Sequence, residues 1–310
     1  MTVKLTQTAE VATLLEKVSG FDNPGGNDRV KQIVHRLLGD LYQLIEDLDV
    51  RPEEFWQAVN YFNELGQNRE AALLAPGLGF DRYLDIRLDA EDQAAGLAGG
   101  TPRAIEGPLY VAGAPLSQGA ARMDDGTDPG EVMWLTGQVR DTKGNPVGGA
   151  VVDIWHANTK GGYSYFDTTQ SEYNLRRRIE TDAEGRYRAR SIVPSGYGCP
   201  PEGPTQRLLD QLGRHGQRPA HIHFFISAPG HRHLTTQINL AGDKYVHDDF
   251  AFATRDDLIV EARRVADPAQ ADKRGLEGPF VEVVFDVELV PTVDAELQQR
   301  SKRLRVLETD

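Results

Sequence analysis

Between Asn27 and Asp49, apolar residues fall at Val30, Ile33, Val34, Leu37, Leu38, Leu41 and Ile45. Steps of three and four place them on one face of a helix. Asn27 is suited to cap the first turn, and Asp28 sits at the positive end of the helix dipole. Arg51-Pro52-Glu53-Glu54 predicts a second helix start, with proline in the first turn and two acids beside it; Phe55, Val59 and Phe62 share one of its faces. A third helix is expected from about Phe80 into Ala95. After Gly99-Gly100-Thr101-Pro102 the period changes. Strand-like runs follow at Val132 to Val139, Val151 to Trp155, Arg186 to Ile192, Ala220 to Ala228, Leu234 to Leu240 and Phe280 to Leu289. Asp141-Thr-Lys-Gly-Asn-Pro146, Asp182-Ala-Glu-Gly185 and Pro229-Gly230 read as turns between them. The pattern predicts an α+β chain, with a helical region over residues 1–100 and an antiparallel β-sandwich over 101–310.

Composition narrows the classes. The chain has 310 residues, which suits two domains and a core that needs no covalent staples. Its formal net charge is −13, and residues 1–100 carry 9 Lys/Arg against 17 Asp/Glu. An acidic chain without a basic cluster is a poor partner for nucleic acid, because phosphate contacts need cations. The single cysteine, Cys199, rules out an internal disulfide framework and fits a reducing compartment. Met1 to Glu10 shows no apolar signal-peptide core, and no apolar run is long enough to span a membrane. A cytoplasmic protein, not integral to a membrane, is expected.

His221-Ile222-His223 is the strongest local chemical signal. In a strand, residues two apart project from the same face, so the two imidazoles stand side by side as two ligands of one metal must. The pair alone leaves structural and metal-binding roles open; a cupin-like site is disfavoured because no Glu lies three or four residues after His223. His231-Arg232-His233 has the same spacing. That pair follows a Pro-Gly turn and encloses a cation that would repel a metal ion, so it reads as a solvated hairpin end. Two loop tyrosines, Tyr163 in Gly161-Gly-Tyr-Ser-Tyr-Phe166 and Tyr197 in Pro194-Ser-Gly-Tyr-Gly-Cys-Pro-Pro201, are further candidates, although spacing alone does not single them out among ten tyrosines.

Four segments change that balance: Thr101-Pro-Arg-Ala-Ile-Glu-Gly-Pro-Leu-Tyr110, Trp155-His-Ala-Asn-Thr-Lys-Gly-Gly-Tyr163, Gly196-Tyr-Gly-Cys199 and Gly213-Arg-His-Gly-Gln-Arg-Pro-Ala-His-Ile-His223. With these, the chain resembles the intradiol ring-cleavage dioxygenases over nearly its whole length, and most closely those that act on catechol. The resemblance implies a helical N-terminal dimerisation region and a β-sandwich catalytic domain. It implies one Fe(III) per chain, held by Tyr163, Tyr197, His221 and His223. Gly162 stands where a bulkier residue can occur in the family, which leaves the ligand itself intact. Phenolates suit hard ferric iron, and a bound cation deprotonates a phenol whose free pKa is about 10.

Carried over motif by motif, Tyr197 is also the ligand that leaves and takes a substrate proton. Arg218 and Gln237 lie beside the iron, where a guanidinium stabilises negative charge developing on the ring. Leu73, Pro76, Ile105, Gly107, Pro108, Leu109, Cys199, Arg218, Phe250 and Ala251 match substrate-pocket positions. The implied activity is the cleavage of catechol by O2 to cis,cis-muconate, within aromatic-compound degradation. The implied partners are a second copy of the chain and a phospholipid tail in the helical dimer interface. Two alternatives stay open: a relative acting on chlorocatechols or hydroxyquinol, and a transthyretin-like binding module without catalysis, to which Gly137 to Asp153 alone is equally suited.

Overall fold

The computed structural model describes residues 4–295 and Gln298. The chain divides into two compact units, Met1–Gln67 and Asn68–Asp310. The first contains α1 (Ala9–Val18), α2 (Asp28–Asp47) and α3 (Pro52–Gln67). The Asn27 side chain accepts the Val30 N–H at 3.1 Å and caps α2, as its position implied. At the start of α3, Glu54 reaches back to the Arg51 N–H at 2.9 Å, the reciprocal half of a capping box. Helix α1 was not legible in the apolar pattern. It packs on α2, and Glu46 of α2 ties down the approach to it by accepting from the backbone of Leu5 and Thr6 at 2.6 and 3.0 Å.

The second unit opens with α4 (Ala71–Gly77) and α5 (Phe80–Ala94). The strands follow: β1 (Leu116–Gln118), β2 (Ala120–Arg122), β3 (Val132–Asp141), β4 (Val151–His156), β5 (Arg176–Glu180), β6 (Arg186–Ile192) and β7 (Tyr197–Gly198). After α6 (Pro204–Gln211) come β8 (Gln217–Arg218), β9 (His221–Ser227), β10 (Leu234–Leu240), β11 (Ile259–Val260) and β12 (Arg263–Val265); α7 (Pro268–Asp272) precedes β13 (Phe280–Val284) and β14 (Val287–Leu289). The compact division therefore falls well before the change of period near residue 100. Helices α4 and α5 belong with the sheets, and ion pairs fasten α5 there: Arg103 to Asp89 at 2.7 Å and Arg255 to Asp85 at 3.1 Å.

Two sheets make the sandwich. One runs β1-β5-β4-β9-β10-β11; the other runs β12-β13-β3-β6-β2, with β14 also on β3. Met133 and Leu135 of β3, Ile154 of β4, Ala189 of β6, Ile222, Phe224 and Ile226 of β9 and Val283 of β13 meet in one buried apolar core. The run β5-β4-β9-β10 of the first sheet and the pairs β3–β6 and β12–β13 of the second are antiparallel, as expected. The sandwich is mixed rather than purely antiparallel, because β1–β5, β2–β6, β10–β11, β13–β3 and β14–β3 run parallel. Parallel partners must arrive by long connections, and β13 reaches β3 from far along the chain.

The expected strand over 280–289 is interrupted at Phe285–Asp286. There the Phe285 N–H donates to the Thr136 carbonyl at 2.8 Å, its own carbonyl accepts the Tyr187 hydroxyl at 2.7 Å, and Asp286 accepts the Gln138 N–H at 2.9 Å. Gly137 permits this crossing, since a Cβ there would lie 1.9 Å from the Phe285 oxygen. Among the described residues, no helix is long and apolar enough to cross a membrane.

Candidate metal centre

Strand β9 is buried on both faces. Its even residues enter the sandwich core, so its odd residues, His221, His223 and Phe225, face the other way. Cross-strand neighbours on that outer face are Trp155 of β4 and Gln237 of β10 beside His223, and Asn239 beside His221. The Trp155 indole stacks on the His223 ring with centroids 4.9 Å apart and planes within 6°. The His221 and His223 rings lie 4.7 Å apart and nearly perpendicular.

Two loops bring the tyrosines over this face. The Asn158 side chain accepts the N–H groups of Lys160 and Gly162 at 2.9 and 2.8 Å and winds the first loop into a turn that aims Tyr163 inward. Gly161, at φ +80°, packs against Tyr197; a Cβ there would lie 2.6 Å from the Tyr197 Cβ. Tyr197 belongs to the short ribbon β7–β8, where its partner is Arg218. The outcome is one cluster: Tyr163 Oη and Tyr197 Oη lie 3.3 and 3.5 Å from His221 Nε2.

The tautomer of His221 follows from its other nitrogen. Nδ1 is 2.6 Å from the Pro219 carbonyl and must donate to it, so Nε2 keeps its lone pair toward the phenols. Burial, with the Arg218 charge second, pushes the His221 pKa well below its ordinary value; burial and the neighbouring His221 do the same to His223. Both rings are therefore neutral donors at neutral pH. Burial, reinforced by Tyr197, pushes the Tyr163 phenol well above its ordinary value. Only a cation at contact distance offsets that and makes it a phenolate donor.

Arg218, 3 % exposed, is the charged centre of a buried network. It donates to Asp249 at 3.2 Å through both Nε and Nη2, to the Gln237 oxygen at 2.8 Å and to His221 Nε2 at 3.0 Å. Gln237 in turn donates to Asn239 at 3.1 Å. Burial opposes the guanidinium charge, but Asp249 and the tyrosines outweigh it and raise its pKa. Arg176, also buried, holds the Tyr163 loop by donating to Ser164 Oγ and Ser164 O at 2.9 and 3.0 Å.

The expected pocket residues gather beside the cluster. Ile105, Cys199, Phe250 and Ala251 share a small apolar core with Leu73 packed on it. Leu109 and Tyr197 pack on a second core made of Tyr110, Trp155, Tyr163 and Phe225. Gly107 faces His223, where a Cβ would lie 3.6 Å from the ring. Pro76 is buried on α4 and Pro108 is half-buried beside Leu109. Burial pushes the Cys199 thiol up to about 12, which makes it inert packing.

Sequence reasoning missed Asp249, Asn239, Trp155 and Arg176. Asp249 lies in the acidic pair Asp248–Asp249, and only its 3.2 Å bonds to Arg218 single it out. Trp155 could have been found: it sits in the matched Trp155–Tyr163 segment on an expected strand.

Among the described residues, no group of three or more His, Cys, Asp or Glu converges to hold a metal. A metal at this place must draw on the phenols. Two phenols beside the His221 imidazole, with the His223 ring 4.7 Å from it, offer a donor set that suits a hard trivalent ion with borderline nitrogen donors, and ferric iron fits it.

A family described as Dioxygenase matches residues 105–291, and one described as Catechol dioxygenase N terminus matches residues 27–96. The chain belongs to the intradiol ring-cleavage dioxygenase family and is an oxidoreductase. It is 61 % identical over 301 residues to catechol 1,2-dioxygenase of Pseudomonas sp. (strain EST1001), covering 97 % of this chain and all of that one. It superposes on the crystal structure of catechol 1,2-dioxygenase from Pseudomonas arvilla C-1 with a TM-score of 0.96 at 63 % identity, over 99 % of each chain. A hydroxyquinol 1,2-dioxygenase of Rhizobium sp. (strain MTP-10005) is more distant, at 32 % identity over 85 % of this chain and 88 % of that one. A chlorocatechol 1,2-dioxygenase of Pseudomonas putida is 36 % identical over 74 % of this chain and 86 % of that one. The family implies non-haem iron.

Proposed function

We propose that this chain cleaves catechol between its two hydroxyl-bearing carbons, placing both atoms of O2 in cis,cis-muconate, at one Fe(III) per chain held by Tyr163, Tyr197, His221 and His223. The observation that carries this reading is the convergence of two phenol oxygens on His221 Nε2, at 3.3 and 3.5 Å, over a sheet face where His221 and His223 are buried. The bound ferric ion would act as a Lewis acid that holds both catechol oxygens and draws the ring toward reaction with O2.

The protein's own groups do the rest. Catechol must shed two protons as it binds, one to a solvent-derived hydroxide and one to a phenolate. Tyr197, half-buried and on the short β7–β8 ribbon, is the phenolate able to take one and swing aside. Tyr163, 3 % exposed and on a loop held by Arg176, stays fixed. Arg218 offers a preorganised cation to the negative charge that grows on the ring, and Asp249 and Gln237 fix its orientation. Leu73, Pro76, Ile105, Gly107, Pro108, Leu109, Cys199, Phe250 and Ala251 form the apolar walls that position the ring and keep the site dry. The greater distance of the hydroxyquinol and chlorocatechol enzymes favours unsubstituted catechol. A module without catalysis would have no use for the buried Arg218–Asp249–Gln237 network.

The exposed apolar stripe Val30, Ile33, Leu37 and Leu41 of α2 supports two further parts of the reading, a homodimer and a phospholipid tail held at its interface. Sedimentation and lipid extraction test both; a monomer free of lipid contradicts them. The lone buried thiol supports a cytoplasmic setting.

Product identification with labelled oxygen tests the reaction. We expect muconate carrying two labelled atoms. A semialdehyde from cleavage beside the two hydroxyl carbons would overturn it.

A further inference from the structure

Helix α4 is only seven residues long, too short to hold itself in water. Pro76 weakens it further, because it lacks the N–H that would reach the Ala72 carbonyl. Left-handed residues stand on either side, Arg69 at φ 59° and Gly79 at φ 78°. Yet this weak element carries Leu73 and Pro76, which form one wall of the pocket. Its position must be fixed from outside.

Two side chains do so, one at each end. Glu70, 6 % exposed, accepts the Thr205 N–H at 2.9 Å in the first turn of α6. Gly203 makes room for it, since a Cβ there would lie 2.2 Å from the Glu70 carboxyl oxygen. At the other end, Arg214 donates to the Gly77 carbonyl at 2.6 Å and to the Phe250 carbonyl at 3.0 Å, with its guanidinium over the Phe252 ring. Arg214 thus ties the end of α4 to the Phe250–Ala251 segment, on whose apolar cluster Leu73 packs. Gly77 and Phe250 are already so close that a Cβ on Gly77 would meet the Phe250 ring at 3.0 Å. The hydrogen bonds that place these clamps go to backbone atoms rather than to the four-ring cluster.

We propose that Glu70 and Arg214 are positioning residues that set the width of the pocket, and thereby its discrimination between catechol and ring-substituted catechols. This rests on the catechol reading above. A methyl or chloro substituent needs the wall to give way; a helix pinned at both ends does not give, whereas a short helix freed at one end does. The walls are apolar, so discrimination comes from fit.

The test is kcat and KM for catechol, 4-methylcatechol and 4-chlorocatechol in iron-loaded wild type, Arg214→Ala, Arg214→Lys, Glu70→Ala and Glu70→Gln, with iron content and visible spectrum for each. In both alanine variants the preference for catechol should fall by at least about fivefold, chiefly through a lower KM for the substituted rings. Their catechol kcat, iron content and spectrum should stay near wild type. Glu70→Gln keeps an acceptor oxygen and should restore the wild-type preference; Arg214→Lys, with one donor group for two carbonyls, should fall between. Should an alanine variant not fold, Arg214→Lys carries the test. An unchanged preference in folded, iron-loaded variants overturns the proposal, as does an equal loss on all three substrates or a glutamine variant that fails to restore. A wild type that does not cleave catechol contradicts the function itself, whereas an unchanged preference in an enzyme that does cleave it contradicts only the clamps.

Discussion

Two His-X-His pairs lie eight residues apart in one sheet region and meet different fates. His221 and His223 lie in the middle of a sheet on a strand buried on both faces, with both flanking strands in place. His231 and His233 precede β10 in a turn segment and are half-buried. His231 turns to the Pro229 carbonyl at 2.9 Å, and His233 packs its ring near Phe225. Arg232 between them is not solvated as its sequence context implied: it pairs with Asp92 of α5 and donates to the Leu97 carbonyl at 3.1 Å. Identical spacing therefore yields a paired donor face only where a strand imposes the two-residue period and loops supply further donors. A third histidine sharpens the lesson. His156 is fully buried, but its two nitrogens meet the Ala157 carbonyl at 2.8 Å and the Ser191 hydroxyl at 2.7 Å. With a carbonyl and a serine hydroxyl as its partners it is a core residue, whereas His221 Nε2 faces two phenols.

The comparison breaks most visibly by mutation. His221→Ala and His223→Ala should each abolish iron binding and visible colour. The double change His231→Ala/His233→Ala should leave both nearly intact. Iron per chain beside circular dichroism decides it, and loss of iron from a folded double variant reverses the assignment of the pairs.

Arg218 is the next lever, because it touches His221 without belonging to the donor set. Arg218→Ala should retain iron and colour while kcat falls about 10²-fold. Loss of iron instead would make Arg218 a support for the donors.

His156 gives a smaller effect, on stability. Burial pushes its pKa down to about 4 from an ordinary value near 6.5. The unfolded chain then binds the proton more readily, so this contribution is present in full above the ordinary value and is lost as pH falls toward 4. The loss amounts to about 3 kcal/mol at most. Urea unfolding between pH 7 and 4 should show it, and His156→Gln should flatten that part of the profile while keeping iron.

Cys199→Ala should matter least. Catechol kcat/KM should stay within about twofold, because the thiol contributes packing alone. A larger loss measured at unchanged iron content would give the thiol a role at the site.

How legible all this was depended on how local the signal is. Asn27 announced α2 and Glu54 announced α3 because caps are local chemistry. The strands bearing Ile222 and Ile154 showed because their inward residues are apolar. Strand β5 did not show: Arg-Arg-Arg-Ile-Glu carries no apolar alternation, since Arg176 is buried through bonds to Ser164 rather than by oil-like packing. Short α4 and α6 were missed because tertiary contacts, not propensity, hold them. The donor residues could be nominated from motifs, but the Asp249 support depends on a contact between distant segments that no spacing encodes.

On the proposed reading, Tyr163, Tyr197, His221 and His223 together hold one ferric ion. Iron content and the visible spectrum of the purified wild-type protein test it most directly. We expect one iron per chain and a wine-red tyrosinate-to-Fe(III) absorption that is lost with the iron. A colourless, catalytically active, iron-replete protein would contradict the account.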